Sequence, residues 1–274
     1  MHEVERHYTR GQLERSIFEA LESAGKDLER LSLDDLAPID EFHIRGREAT
    51  KEVAEEIGLD AKKLVLDIGS GLGGPSRRLA SEYGCRVIGL DLTEEYCRVA
   101  EALSTRLGLQ ALVSYRTGNA SALPFDDTSF DVVWTQHASM NIGDKARLYG
   151  EMYRVLKPAG QLAIYDILAG PGGEVHFPVP WAREPSISFL VSPDELRGLL
   201  RETGFTITSW KDTTQAGQAW FEAMAERVRT EGRPTLGYHI LLGDDFAVMA
   251  QNQVRNLHEA RIVLMQIVAQ RPAQ

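Results

Sequence analysis

A short glycine-rich stretch contains the residue types that most clearly suit a chemical role. Residues 64–68 are apolar except for Asp67 and read as a buried strand, and glycines follow at Gly69, Gly71 and Gly74. Glycine lets the main chain take positive φ and approach a ligand closely. The spacing fits the dinucleotide pattern G-x-G-x-x-G, with Asp91 near the offset of a ribose-binding acid. A strand, a tight turn and a helix in this order predict a site for a nucleotide-type ligand.

The same stretch fits a second pattern, which begins with an acid. Asp67 precedes Gly69, Gly71 and Gly73 at alternating positions. This arrangement resembles motif I of the class I S-adenosylmethionine (SAM) methyltransferases. A carboxylate beside the turn suits a ligand that carries an ammonium group and no pyrophosphate, so Asp67 favours SAM over NAD.

A second string discriminates between the two ligands. Residues 118–131 read GNASALPFDDTSFD and resemble the methyltransferase segment around the third and fourth strands. In that family an acid or amide hydrogen-bonds the adenine amino group, and Asn119 stands at that position here. The resemblance implies SAM as cofactor and S-adenosylhomocysteine (SAH) as product, and it implies a set of cofactor-binding residues: Asp67, Gly69, Gly71, Gly73, Asp91, Leu92, Asn119, Ala120 and Gln136.

Two histidines are candidates for catalysis. Methyl transfer from a sulfonium is an in-line displacement that depends mainly on positioning and water exclusion. His137 follows the predicted fourth strand and suits a modest base or a hydrogen bond to the SAM carboxylate. His43 lies in the segment before the glycine strand, which often closes the pocket in methyltransferases of small amines. For each residue an ordinary hydrogen-bonded loop histidine is the alternative.

Three further residues are candidates for acceptor binding. Trp181 offers cation–π stabilisation of a methylated ammonium, and Arg183 offers a bidentate partner for a carboxylate. Asn141 stands where phosphoethanolamine methyltransferases use a histidine, a departure that argues against a shared catalytic dyad. A packing role for the tryptophan is the alternative.

Composition limits the classes of partner. The chain has 274 residues and a formal net charge of −10, which argues against nucleic acid. No apolar run reaches the ~20 residues of a membrane span, and no metal-ligand spacing appears. Cys85 and Cys97 read as ordinary thiols of a reducing cytoplasm. A small molecule is the expected partner, and a homodimer is compatible with the sequence.

The elements that position these residues alternate between strand and helix. This alternation predicts an α/β fold with a Rossmann-like seven-stranded sheet and helices on both faces. Residues 1–60 are expected to form a helical lid with a loop over 37–46, and residues 61–274 the methyltransferase domain. A helical insertion over 212–258 precedes a last strand that the resemblance makes antiparallel.

The predicted function is therefore SAM-dependent methyl transfer to a small molecule. The best candidate acceptor is an amine nitrogen, because the chain looks most like glycine, sarcosine and dimethylglycine N-methyltransferases. Three alternatives stay open: a C- or O-methyltransferase of a quinol or polyketide-like ring, an NAD(P) dehydrogenase, and a SAM-binding protein without turnover. The charge and the lack of an Asn/Asp-Pro-Pro-aromatic string disfavour an RNA methyltransferase.

Overall fold

The computed structural model describes residues 2–9, 11–232 and 234–273. Its strands are β1 Leu64–Ile68, β2 Arg86–Asp91, β3 Val113–Thr117, β4 Phe130–Gln136, β5 Leu156–Ala169, β6 Thr206–Asp212 and β7 Ile262–Gln270. They form one sheet in the order β3-β2-β1-β4-β5-β7-β6. Strand β7 is antiparallel to both of its neighbours, and the other neighbouring pairs are parallel. The predicted α/β class and the antiparallel last strand are confirmed.

Helices precede the sheet, cover its two faces and fill the segment before its last strand. Before β1 lie α1 His2–Tyr8, α2 Leu13–Ser23, α3 Leu33–Asp40 and α4 Gly46–Glu56. Between strands lie α5 Gly74–Tyr83, α6 Glu94–Arg106, α7 Lys145–Val155 and α8 Pro193–Thr203. Between β6 and β7 lie α9 Thr214–Glu231, α10 His239–Leu242 and α11 Phe246–His258. The structure thus contains the predicted helical insertion. No helix in the described ranges has the length and apolar character needed to cross a membrane.

The central strands are mainly apolar because both of their faces are covered. In β1, Leu66 packs into one buried cluster and Val65 into the cluster on the opposite face. In β4, Val133 and Trp134 divide in the same way. Successive side chains of a strand point to opposite faces. A continuous apolar run is therefore the expected pattern for strands buried between two helical layers.

The helices before β1 differ from the sequence-based prediction. A loop was expected over residues 37–46, but residues 37–40 belong to α3. Ser32 and Asp35 form a reciprocal capping box at the start of this helix, and its Leu36 and Ile39 are fully buried. The cap and this buried face stabilise the helix although Pro38 lies inside it and removes one backbone donor.

The end of α3 docks directly on the start of α5. A Cβ atom added to Gly74 would lie 2.0 Å from the carbonyl oxygen of Asp40. Arg77 of α5 donates a hydrogen bond from Nη2 to Asp40 Oδ2 at 2.8 Å, and both side chains are buried. Gly74, the third glycine of the dinucleotide pattern, therefore allows one helix to approach another.

One hydrophobic cluster joins the helices before β1 to those before β7. We call it the roof cluster. The hydroxyl of Tyr238 also donates a hydrogen bond to the carbonyl oxygen of Glu41. Segments far apart in the sequence therefore share one core, whose buried members include Leu13, Ile17, Leu21, Leu36 and Ile39 from the first set of helices and Leu236, Leu241, Leu242 and Met249 from the second.

A buried carboxyl group links β1 to α5. Ser76 Oγ donates a hydrogen bond to Asp67 Oδ2 at 2.5 Å, and both residues are buried. Burial raises the pKa of the Asp67 carboxyl group to about 7, and the nearby Asp91 adds to the rise. The folded protein therefore holds a proton on Asp67 at pH values where the unfolded chain has released it.

Gly74→Ala tests the contact between α3 and α5. The added methyl group would overlap the Asp40 carbonyl, so we expect a loss of roughly 1–3 kcal/mol in the free energy of unfolding. Urea denaturation measures this quantity. Gly198→Ala in α8 is the control, since an added Cβ there meets nothing within 4 Å, and it should stabilise by about 0.4–1 kcal/mol. Equal effects of the two substitutions would show that the approach is not tight.

Asp67→Asn tests the protonated carboxyl group. Because the folded pKa is raised, wild-type stability should fall as pH rises from the unfolded pKa towards about 7. The amide does not titrate, so the wild type should lose roughly 1–4 kcal/mol relative to the variant between about pH 4.5 and about pH 7.5. Urea unfolding at both pH values measures the difference. The exposed Asp126→Asn is the control, and a parallel pH dependence of wild type and Asp67→Asn would contradict the assignment.

Candidate functional site

A cavity of about 530 Å³ opens beyond the carboxyl ends of the parallel strands. This is the position at which open α/β sheets bind ligands. Its walls come from the segments after β1, β2, β3 and β4, and from α1 and the segment after α3. Predicted site residues that line it are His43, Gly69, Gly71, Asp91, Leu92, Asn119, Ala120, Gln136, His137 and Asn141.

The glycine turn forms one wall of the cavity. Gly69 has a φ of +76°, and a Cβ added there would lie 2.3 Å from the Ala138 side chain. Gly71 has a φ of +54°, and an added Cβ would meet nothing within 4 Å. The first glycine is therefore needed for close packing against the segment after β4. The second leaves open space at the cavity, where a ligand can approach the main chain.

The carboxylate of Asp91 fixes this turn from the neighbouring strand. Its Oδ2 accepts a hydrogen bond from the Gly71 N–H at 2.9 Å, and its Oδ1 accepts one from the Thr93 N–H at 2.8 Å. Burial raises the pKa of the Asp91 carboxyl group. Strand β2 ends at Asp91, so the carboxylate lies at the same sheet edge as the turn.

Two of the predicted cofactor residues lie behind the cavity wall. Asp67 is buried against Ser76. Gly73 has a φ of +80°, and a Cβ added to it would lie 2.1 Å from the Tyr115 hydroxyl. Neither residue lines the cavity, so both support the turn from behind.

Asn119 closes a local turn at the cavity edge. Its Oδ1 accepts a hydrogen bond from the Ser121 N–H at 2.9 Å. One lone pair of this oxygen and the Nδ2 group remain for a ligand. Ala120 and Leu92 provide apolar wall nearby.

The two histidines lie close together, with ring centroids 6.0 Å apart. His43 Nε2 lies 2.8 Å from the Gly46 carbonyl oxygen, so this nitrogen carries a proton and Nδ1 is left for a ligand. Burial lowers the pKa of His43 to about 4. Burial and the neighbouring His43 also hold the pKa of His137 well below its ordinary value. Both rings are therefore neutral near pH 7.

His137 has an unusual backbone conformation. Its φ is +48°, which is uncommon for a residue other than glycine and accompanies strain at functional sites. Its ring stacks on Tyr165 with centroids 5.3 Å apart. Its N–H donates a hydrogen bond to the Tyr165 carbonyl oxygen at 2.9 Å. The stack and this bond fix the ring beside the cavity.

Three buried polar atoms of cavity residues have no hydrogen-bond partner within the described chain. They are Ser70 Oγ, Gln136 Nε2 and His137 Nε2. The opposite atom of the glutamine, Oε1, accepts hydrogen bonds from Trp134 Nε1 at 2.9 Å and Thr50 Oγ1 at 3.2 Å. Unpaired buried polar groups are costly. These three atoms could therefore form hydrogen bonds to a polar ligand in the cavity.

Asn141 connects α1 to the segment after β5. Its Oδ1 accepts a hydrogen bond from the Tyr8 hydroxyl at 3.0 Å. Its Nδ2 donates to the carbonyl oxygens of Trp181 at 2.7 Å and Ile187 at 2.9 Å. The residue therefore orients a helix and a loop on opposite sides of the cavity.

The structure places neither Trp181 nor Arg183 in the cavity. The Trp181 side chain is 1% exposed, packs in a hydrophobic cluster, and donates its indole N–H to Ser188 Oγ at 3.0 Å. Arg183 pairs with the Asp245 carboxylate on the surface. A direct role of either side chain in acceptor binding is therefore not supported. The tryptophan contributes through its carbonyl group, which a sequence pattern does not reveal.

Sequence reasoning did not assign the cavity residues of α1 or those of the end of α3. Glu3, Tyr8 and Asp40 line the cavity, but none of them was among the predicted site residues. Val4 and Tyr8 are spaced four residues apart, so they share one face of a helix. That spacing is the sequence signal that could have identified Val4 and Tyr8 as neighbours on one face of α1. Burial and the nearby Asp91 raise the pKa of the Tyr8 hydroxyl.

Comparisons with known proteins agree with this geometry. Residues 66–164 match the family described as "Methyltransferase domain". A glycine/sarcosine/dimethylglycine N-methyltransferase of Actinopolyspora halophila is 26% identical over 223 residues, which are 81% of this chain and 39% of that protein. A sarcosine/dimethylglycine N-methyltransferase of Halorhodospira halochloris is 29% identical over 220 residues, which are 78% of this chain and 77% of that protein. The chain thus spans well under half of the first relative.

A solved structure shares the fold over nearly the whole chain. It is phosphoethanolamine N-methyltransferase 2 of Haemonchus contortus with phosphomonomethylethanolamine and SAH. The TM-score is 0.76 and the identity 22%, with 96% of this chain and 59% of that chain covered.

The family and the sheet topology overturn the dehydrogenase alternative. The dinucleotide fold has the strand order 3-2-1-4-5-6, whereas an antiparallel β7 lies between β5 and β6 here. The cofactor of the matched family is SAM. Residues 66–164 match the methyltransferase domain family, and the seven-stranded sheet with its antiparallel last strand has the class I methyltransferase fold.

Proposed function

We propose that the chain transfers the methyl group of SAM to a small-molecule acceptor, and that the acceptor atom is an amine nitrogen. One observation carries the proposal. The glycine turn held by Asp91 and the strained His137 line one continuous cavity, which is closed by residues of α1. A cofactor and an acceptor placed there would lie side by side, away from bulk water.

The residues around the turn fit SAM. Asp91, at the end of β2, is positioned to accept hydrogen bonds from the ribose hydroxyls. Asn119 and Ala120 would lie at the adenine, with Leu92 against its face. Gly69 and Gly71 let the ligand approach the main chain, and Gln136 Nε2 and Ser70 Oγ are unpaired donors for its polar groups. Asp67 and Gly73 support the turn from behind.

The chain itself mainly positions and desolvates the reactants. SAM supplies an electrophilic methyl group on its sulfonium. The protein must place the acceptor's lone pair in line with that bond. His137 is neutral, and its unpaired Nε2 can accept a hydrogen bond from an amine N–H. His43 Nδ1 and Asn141 are the other groups proposed to orient the acceptor. Because its pKa is low, His137 acts by orientation more than as a strong base.

The proposal includes the wider organisation of the chain. Residues 1–60 act as a lid, residues 61–274 form the methyltransferase domain, and residues 212–258 are an insertion that holds the lid through the roof cluster. The net charge of −10 supports a small-molecule partner over nucleic acid. The buried free thiols of Cys85 and Cys97 support a reducing compartment such as the cytoplasm. A homodimer stays a prediction.

Asp91→Asn tests the cofactor site. The amide keeps the size of the side chain but loses one acceptor oxygen, so we expect SAH to bind at least about tenfold more weakly, or ~1.4 kcal/mol. Isothermal titration calorimetry measures the dissociation constant, and thermal unfolding verifies that the variant is folded. The exposed Asp126→Asn is the control and should bind like the wild type. Unchanged affinity in Asp91→Asn would contradict the assigned role.

A panel of acceptors tests the reaction class. Labelled methyl transfer from SAM is measured with glycine, sarcosine, dimethylglycine, phosphoethanolamine, uncharged amines, quinols and phenols, and SAH release is the second readout. We expect turnover on at least one amine. Turnover only on a quinol or phenol would refute the N-methyltransferase proposal in favour of a C- or O-methyltransferase. SAH binding without turnover on any compound would favour a binding protein.

A further inference from the structure

We infer that the acceptor is an amine that carries no carboxylate or phosphate group. This inference rests on the proposed function and narrows its substrate class. It follows from the distribution of charge around the part of the cavity that the cofactor turn does not occupy.

This part, which we call the acceptor end, combines apolar and aromatic wall with acidic groups. Ile142 and Ile187 provide aliphatic surface, and Phe189 provides an aromatic ring. Phe189 is 39% exposed, which is unusual for a large apolar side chain in this protein. An exposed ring at a cavity mouth is available to a ligand.

The charged side chains that line the acceptor end are carboxylates. Glu3 on α1 and Asp144 before α7 both line the cavity and both are exposed. Asp144 also accepts a hydrogen bond from the Arg147 N–H at 2.9 Å, which caps α7. Among the lining residues in the described parts of the chain, none is lysine or arginine.

Two cations close in sequence to this end are committed to other groups, and the exposed Arg6 and Arg147 do not line the cavity. Lys145 is buried and donates from Nζ to the carbonyl oxygens of Ser139 and, at 2.7 Å, of Ile142. Arg183 pairs with the Asp245 carboxylate. Neither cation is left to bind an anionic group of an acceptor.

These features select against an anionic acceptor. A carboxylate or phosphate that enters the acceptor end would lose water, meet no lysine or arginine among the described lining residues, and share the cavity with the carboxylates of Glu3 and Asp144. Burial of an unpaired ion is strongly unfavourable, and like charges add to the cost. An amine without such a group avoids both costs, and its methylated product can lie against the Phe189 ring as a cation.

Matched pairs of amines test the inference. Each pair differs by one anionic group: 2-(dimethylamino)ethanol against dimethylglycine, ethanolamine against phosphoethanolamine, and benzylamine against 4-(aminomethyl)benzoate. We expect kcat/KM for SAM-dependent methyl transfer to be at least about tenfold higher for the member without the anionic group, wherever a pair is methylated. Equal values, or a preference for the anionic member, would overturn the inference.

A charge reversal at the cavity mouth identifies the source of the selectivity. Glu3→Lys places a cation at the acceptor end, so the preference against the anionic member should shrink by about tenfold. Glu22→Lys makes the same charge change on an exposed face of α2 that does not line the cavity, and it should leave the ratio unchanged. An equal change in both variants would mean that only net charge matters, and the inference would fail.

The outcomes separate this inference from the proposed function. Turnover of an amine without charge selectivity refutes only the inference. If no amine is methylated, calorimetric titration of the SAH-saturated protein with the same pairs follows. Absence of binding by every member of the pairs overturns the inference and the amine proposal together. If a phenol is methylated although no amine binds, the methyltransferase activity stands and only the amine acceptor is refuted.

Discussion

The cavity depends on a carboxylate that bridges two adjacent strand ends. Asp91 Oδ2 holds the Gly71 N–H, and Asp91 Oδ1 holds the Thr93 N–H. Without these bonds two partly buried N–H groups would lose their partners, and the turn would keep only its backbone hydrogen bonds, such as that from the Gly69 N–H to the Leu90 carbonyl oxygen. A charge-assisted hydrogen bond to a main-chain N–H is strong in a desolvated setting. The same carboxylate thus organises the empty turn and is proposed to receive the ribose, so binding requires little rearrangement.

A second constraint controls the roof of the cavity. The Arg77–Asp40 pair is completely buried, and a buried ion pair is weak evidence for stability because both charges lose water. The pair instead orients the two helices, because it fixes the end of α3 over the start of α5. Phe42 and His43 follow directly and reach the cavity. The position of His43 therefore depends on an ion pair made three residues earlier, at the end of α3.

The sequence contained most of the fold and the cofactor half of the site. Strands buried on both faces have largely continuous apolar runs. Glycines at positions 69 and 71 with an acid at the end of the next strand, Asp91, are typical of only a few backbone arrangements. The acceptor half was harder to predict. Trp181 and Arg183 have side chains suited to an ammonium and a carboxylate, yet packing and a surface ion pair engage them instead. The loop predicted over 37–46 missed the end of α3, which a capping box at its start and the buried Leu36 and Ile39 stabilise. Tertiary contacts of this kind leave no local pattern.

The roof cluster has a consequence for the order of folding. Ile17 and Leu21 of α2 pack in one cluster with Leu241 and Met249, which are separated from them by most of the chain. Contacts with such large sequence separation form late, because the entropy cost of closing a long loop comes before the contact can stabilise the chain. During synthesis the parallel strands and their glycine turn can therefore assemble while α2 and α3 still lack the partners that α10 and α11 supply. The nascent chain would pass through a stage with a formed cofactor crevice and an incomplete roof cluster.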